Sequence, residues 1–151
     1  MEILPKVPSK LIRIALADLK KVETHPSITV DMDDWIASNY DNLAINDRPS
    51  EYRICSACLA GAVMIFSLAG GPDNIPARII SPRHFPGNEN QLFALDSLRS
   101  GYIADMFSFL GLDPDDGYSY KGIVSTPYEE SPEEFKKELE KLAKILEKDG
   151  F

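Results

Sequence analysis

Ile54-Cys55-Ser56-Ala57-Cys58-Leu59-Ala60-Gly61-Ala62-Val63-Met64-Ile65-Phe66-Ser67-Leu68-Ala69, followed by Gly70-Gly71-Pro72, is the stretch whose reading decides the fold. It carries no charge, and its only polar side chains are two serines and two cysteines. A helix without a polar face has to be buried on every side. It is also shorter than the roughly 20 apolar residues a bilayer crossing needs. Residues 55–69 are therefore expected to form the buried central helix of a small domain, with Gly70-Gly71 at its C-terminal cap.

Upstream, Pro8-Ser9 opens a helix with Ser9 as the expected N-cap, and Leu11, Ile12, Ala15, Leu16, Leu19 and Val22 follow at helical spacing. Arg13, Asp18, Lys20 and Lys21 are expected on the solvent side, and Pro26 ends the helix near Glu23. Ile28-Thr29-Val30 alternates like a short strand. Asp31 or Asp33 is expected to cap a short helix through Trp35, Ile36 and Tyr40, with a polar loop over 41–52.

Downstream, residues 71–88 contain Pro72, Pro76, Pro82 and Pro86, which excludes a long regular element. Long loops of this kind are usually either functional or disordered, and Ile75, Ile79, Ile80 and Phe85 suggest that this one packs down on the surface. Asn88 and Gln91 read as a capping box, opening a helical pattern that Gly101 interrupts and that resumes to Gly111. Asp113-Pro114-Asp115-Asp116-Gly117 reads as a turn, with a second loop over 118–130. Ser131-Pro132-Glu133-Glu134 is a strong helix start, and Phe135, Leu139, Leu142 and Leu146 supply its apolar stripe up to Gly150. The expected fold is mainly α: a compact bundle of about five helices around the 55–69 helix, with long irregular loops and at most a minor β element. The 151 residues are expected to form one domain, within the usual range of about 100–200.

A net charge of −8 and a pI near 4.7 argue against a nucleic-acid binder and against docking on anionic membranes. An acidic surface suits basic partners or polyanion mimicry. Residues 1–6 lack the pattern of a secretory signal, and two cysteines three apart make no disulfide framework, so a cytoplasmic protein is expected.

Val30-Asp31-Met32-Asp33-Asp34-Trp35, Cys55 to Met64 with its Cys-x-x-Cys-Leu-Ala-Gly-Ala-Val-Met pattern, and Ala94-Leu95-Asp96-Ser97-Leu98-Arg99-Ser100-Gly101 resemble, in content and order, a group of small uncharacterised proteins of bacteriophages and prophages. The resemblance covers roughly residues 28–101. It implies a phage context and carries no functional residue onto this chain.

Cys55-x-x-Cys58 at a helix N-terminus could favour a thiolate for redox or nucleophilic chemistry, with His84 as one conceivable base. Packing is the favoured reading, because free cysteine is often buried and zinc would lack two ligands. The acids at 31, 33 and 34 and at 113, 115 and 116 read as caps and turns rather than a cation loop. Arg78, Arg83, His84 and Arg99 form a sparse basic set that could hold an anionic small ligand, although Asp96 and Arg99 at i, i+3 read first as an ion pair. The expected function is that of a non-enzymatic phage accessory protein binding a host protein or small ligand, with no cofactor or metal. A thiol enzyme or redox protein using Cys55 and Cys58 is the alternative.

Overall fold

The computed structural model describes residues 2–77 and 81–151. Among these are six α-helices and a small three-stranded sheet: α1 (Pro8–Glu23), β1 (Thr29–Val30), β2 (Ile36–Ser38), β3 (Ile54–Ala57), α2 (Leu59–Val63), α3 (Glu89–Arg99), α4 (Ile103–Phe109), α5 (Pro114–Tyr118) and α6 (Pro132–Lys148). The mainly α expectation with a minor β element holds.

The central stretch is buried as expected but is not one helix from residue 55. Its first four residues form β3, the middle strand of the sheet, parallel to β1 and antiparallel to β2. An uninterrupted apolar run suits a fully buried strand as well as a buried helix, and its periodicity does not separate them. Two partner strands take the backbone hydrogen bonds here, and the helix begins only at Leu59. Cys58 is the N-cap, its Sγ accepting the Gly61 N–H at 3.3 Å. The Cys58 N–H donates to the Trp35 carbonyl at 3.2 Å, and that same carbonyl lies where a Cβ on Gly61 would be, 1.7 Å away. Residues 64–68 then widen into a π-turn, with the Ala69 N–H donating to the Met64 carbonyl, and Gly70 at φ +81° breaks the helix.

Other local expectations shift for identifiable reasons. The helix expected after Asp31 is replaced by β2, because the Asp31 carboxylate accepts the Asp33 N–H in a local turn and Ile36 pairs with Ala57. The first helix starts at Pro8 with Val7 as N-cap, and the Ser9 hydroxyl donates instead to the Phe151 carbonyl at 3.1 Å. Asn88 occupies the expected N-cap position, but its side chain makes no cap bond. Its Oδ1 accepts the Leu4 N–H at 2.8 Å, its Nδ2 donates to the Glu2 carbonyl, and Gln91 Nε2 donates to the Leu4 carbonyl. Both amides thus fasten the N-terminal segment to the core. The 113–117 turn is the start of α5, capped by Asp113 with Pro114 in the first turn. The start of α6 is as expected, with the Ser131 hydroxyl accepting the Glu134 N–H.

Asp18, expected on the solvent face of α1, is 2% exposed beneath the π-turn. It accepts the Ser67 hydroxyl and a Lys21 ammonium at 3.3 Å. Burial raises its carboxyl above the ordinary value of 3.8, against the lowering effect of the Ser67 and Lys21 contacts.

Two outcomes are expected. Gly61→Ala should destabilise the fold by roughly 1–3 kcal/mol or more in urea melts, since the new methyl meets a backbone carbonyl that cannot rotate away. Because the folded value of Asp18 is raised, its stabilising contribution is full below the unfolded value and lost as pH rises through the folded one. The stability difference between wild type and Asp18→Asn should therefore move in favour of the wild type from neutral pH to about pH 4.5. A difference that is flat with pH would remove that role.

Candidate functional site

The parallel pairing of β1 with β3 brings two remote chain segments to one edge of the sheet. Residues entering β1 (His25, Ser27, Ile28) and residues entering β3 (Tyr52, Arg53, Ile54) lie side by side, and Pro72, Asp73 and Ile75 of the proline-rich loop form the third wall. Together they enclose a cleft of about 310 Å³. Ile54 and Ile75 are buried at 3% and 2% exposure and give it an apolar base.

The polar groups of this cleft are donors for the most part. His25 Nδ1 accepts the Ser27 N–H at 3.2 Å, with the Ser27 hydroxyl at 3.3 Å. A backbone N–H can only donate, so Nδ1 is the unprotonated nitrogen of the neutral ring and Nε2 carries the proton. Arg53 is exposed and has no carboxylate partner among the described residues. Its backbone is fixed from the other side, where the Arg53 N–H donates to Asn39 Oδ1 at 2.9 Å. The cleft therefore presents an unpaired guanidinium, an imidazole N–H and a hydroxyl, opposed by the single carboxylate of Asp73. A catalytic pairing of Ser27 with His25 is not assembled: the Nδ1 lone pair is already occupied by a backbone donor, and no carboxylate is bonded to the ring among the described residues.

The described members of the basic set expected from the sequence do not gather in one cleft. Arg78 lies outside the described residues. Arg83 and His84 sit on a single helical turn over Pro82–His84, with the His84 ring 3.4 Å from the Ser81 hydroxyl, and neither lines the His25–Arg53 cleft. Arg99 lines a different cleft of about 310 Å³ with Met32, Gly101 and residues 124–129. There the ion pair with Asp96 is formed, Nε to Oδ1 at 2.7 Å, and Glu129 adds a second carboxylate to the surroundings. Arg99 is neutralised and is a poor anion receptor.

Sequence reasoning missed Arg53 and His25 as partners. They are far apart in the chain, and only the β1–β3 register joins them. The proline-rich loop did carry a signal, because its length and prolines mark it as a wall rather than a linker.

The cysteines part company. Cys55 is half-buried on β3, and Cys58 is 1% exposed. Burial, with a smaller push from Asp96, raises the Cys58 thiol to about 11 against the lowering effect of the Gly61 N–H. No group of three or more His, Cys, Asp or Glu side chains is arranged to hold a metal among the described residues. No helix among them is long and apolar enough to cross a membrane. No protein family matches this chain, and no curated protein or solved structure is similar to it.

At neutral pH a disulfide reagent should react quickly with at most one thiol of the native protein, and Cys55→Ser should abolish that reaction. Two fast thiols would contradict the burial of Cys58.

Proposed function

We propose that this chain is a non-catalytic binding protein, a cytoplasmic accessory protein of a phage or prophage, that holds a small ligand by an anionic group in the His25–Arg53 cleft. The observation that carries this reading is that Arg53, without an ion pair among the described residues, lines one cleft with a His25 ring whose Nδ1 already accepts a backbone N–H. What marks Arg53 is its place: it lines a cleft beside an imidazole and over an apolar base. Guanidinium and imidazole donors give charge-assisted hydrogen bonds to carboxylate or phosphate oxygens. The cleft is at the small end of ligand sites, which start near 300 Å³, so a compact ligand fits. Asp73 opposes a multiply charged anion and favours a ligand with a hydroxyl or ammonium to offer it. The thiol alternative is the weaker reading, since a Cys58 thiol near 11 stays protonated at neutral pH.

Isothermal titration with inorganic phosphate and a series of small mono- and dicarboxylates tests the proposal. Saturable binding is expected for at least one of them. Arg53→Ala should weaken it about tenfold or more, the equivalent of one lost charge-assisted contact. Asp73→Asn should tighten it. Both variants should melt with the wild type, because exposed charges contribute little to stability. Binding that is indifferent to Arg53 would sink the assignment.

A further inference from the structure

A second cleft, of about 340 Å³, lies on the far side of Gly101, between α4 and α5. Its walls are two tyrosines. Tyr102 is the N-cap residue of α4 and Tyr118 is the last residue of α5, and they are 62% and 63% exposed. Neither hydroxyl has a hydrogen-bond partner among the described residues. Single exposed aromatic residues need no explanation, but two of them facing one depression do.

The backbone sets this depression. Gly117 is buried, and a Cβ there would stand 2.8 Å from Ala104 Cα and 3.0 Å from the Ile103 carbonyl. Only glycine lets α5 lie directly on the first turn of α4, which places Tyr118 beside Tyr102. The floor is rigid, and each tyrosine has just two torsions to fix, so ordering the walls around a ligand costs little entropy.

The chain segment that builds the cleft, residues 101–120, contains Asp105, Asp113, Asp115 and Asp116 and no lysine, arginine or histidine, and of these acids Asp105 alone lines the cleft. Asp105 lines the cleft, is exposed, and forms no ion pair among the described residues. Lys121 is the one cation on the rim and is likewise unpaired among the described residues.

We infer that the cleft between Tyr102 and Tyr118 is a docking site for an arginine side chain on a basic segment of a partner protein. A guanidinium is planar and weakly hydrated, so it stacks on tyrosine faces while its edge N–H groups reach a carboxylate. Two rings and Asp105 supply both requirements. A nucleotide would bring phosphates to the Asp105 carboxylate in an acidic chain, and a proline-rich peptide would leave that carboxylate without a role. A lysine ammonium cannot stack and hydrogen-bond in one plane in the same way. This site is independent of the His25–Arg53 cleft, and neither assignment depends on the other.

The test is titration of the full chain with blocked hexa-arginine, hexalysine and hexaproline peptides, following backbone amide shifts by NMR. The arginine peptide should give saturable shifts concentrated at residues 101–105 and 117–121, with clearly weaker binding of the lysine peptide. Replacing both tyrosines, Tyr102→Ala with Tyr118→Ala, should weaken the arginine peptide about tenfold. Asp105→Asn should weaken it and Lys121→Gln should tighten it; a site that only collects charge would respond to these two but not to loss of the rings. Should the double tyrosine variant lose fold stability, the opposite signs at Asp105 and Lys121, together with the arginine-over-lysine preference, still decide. The inference is overturned by equal affinity for the lysine peptide, by stronger binding of the proline peptide, or by shifts centred elsewhere on the chain.

Discussion

The carbonyl of Trp35 is the contact on which the architecture turns. It accepts the Cys58 N–H and lies against the α-carbon of Gly61, so it fixes where a buried strand becomes a buried helix. A strand leaving a sheet normally exposes its next backbone donor, and an orphaned buried donor is costly. Here the donor is met by the residue just ahead of β2. The chain can therefore switch from β3 to α2 within one residue, at Cys58, without opening the core. The next residue, Ile36, pairs with Ala57 of β3, and Ala57 pairs in turn with Val30 of β1, so the contact sits at the end of both registers. Everything at the sheet edge, including the His25–Arg53 cleft, inherits its geometry from those registers.

The parts of the fold legible in the sequence are those where one face of a helix is polar. In α1 and α6 the apolar stripe is unambiguous, and the Ser131-Pro132 start works as its chemistry dictates. The central stretch was legible as buried but not as strand then helix, because uniform hydrophobicity erases the period that distinguishes them. Asp18 shows the converse. Its position on the α1 wheel suggests solvent, yet the π-turn carries Ser67 over it and supplies a donor. Local pattern cannot anticipate a partner 49 residues away. Asn88 and Gln91 misled for a related reason, since a side chain able to cap its own helix is equally able to bind a passing segment, and the N-terminal backbone offered both donor and acceptor.

The site residues divide along the same line. Asp96 and Arg99 are three apart on one helix, and their pairing follows from helix geometry alone. That pairing removes Arg99 from anion binding, so the most readable basic residue is the least available one. Arg53 lies at the entry to a strand and forms no ion pair among the described residues. Its meeting with His25 is a tertiary property, made by the β1–β3 register, and has no local signature.

Gly101 joins two of the clefts. It has φ +78°, and a Cβ there would lie 2.4 Å from the Val124 carbonyl. It lines both the Arg99 cleft and the tyrosine cleft. The break between α3 and α4 is thus where the 124–129 segment closes on the core, and it also sets the direction in which Tyr102 leaves the backbone. Any side chain at this position would have to displace the Val124 carbonyl and re-aim α4 together. The two clefts on this side therefore share one conformational constraint, whereas the His25–Arg53 cleft, built on the β1–β3 register, has a separate one. Perturbing Gly101 should alter both of the former at once and leave the latter in place, because no residue lining the sheet-edge cleft belongs to that hinge.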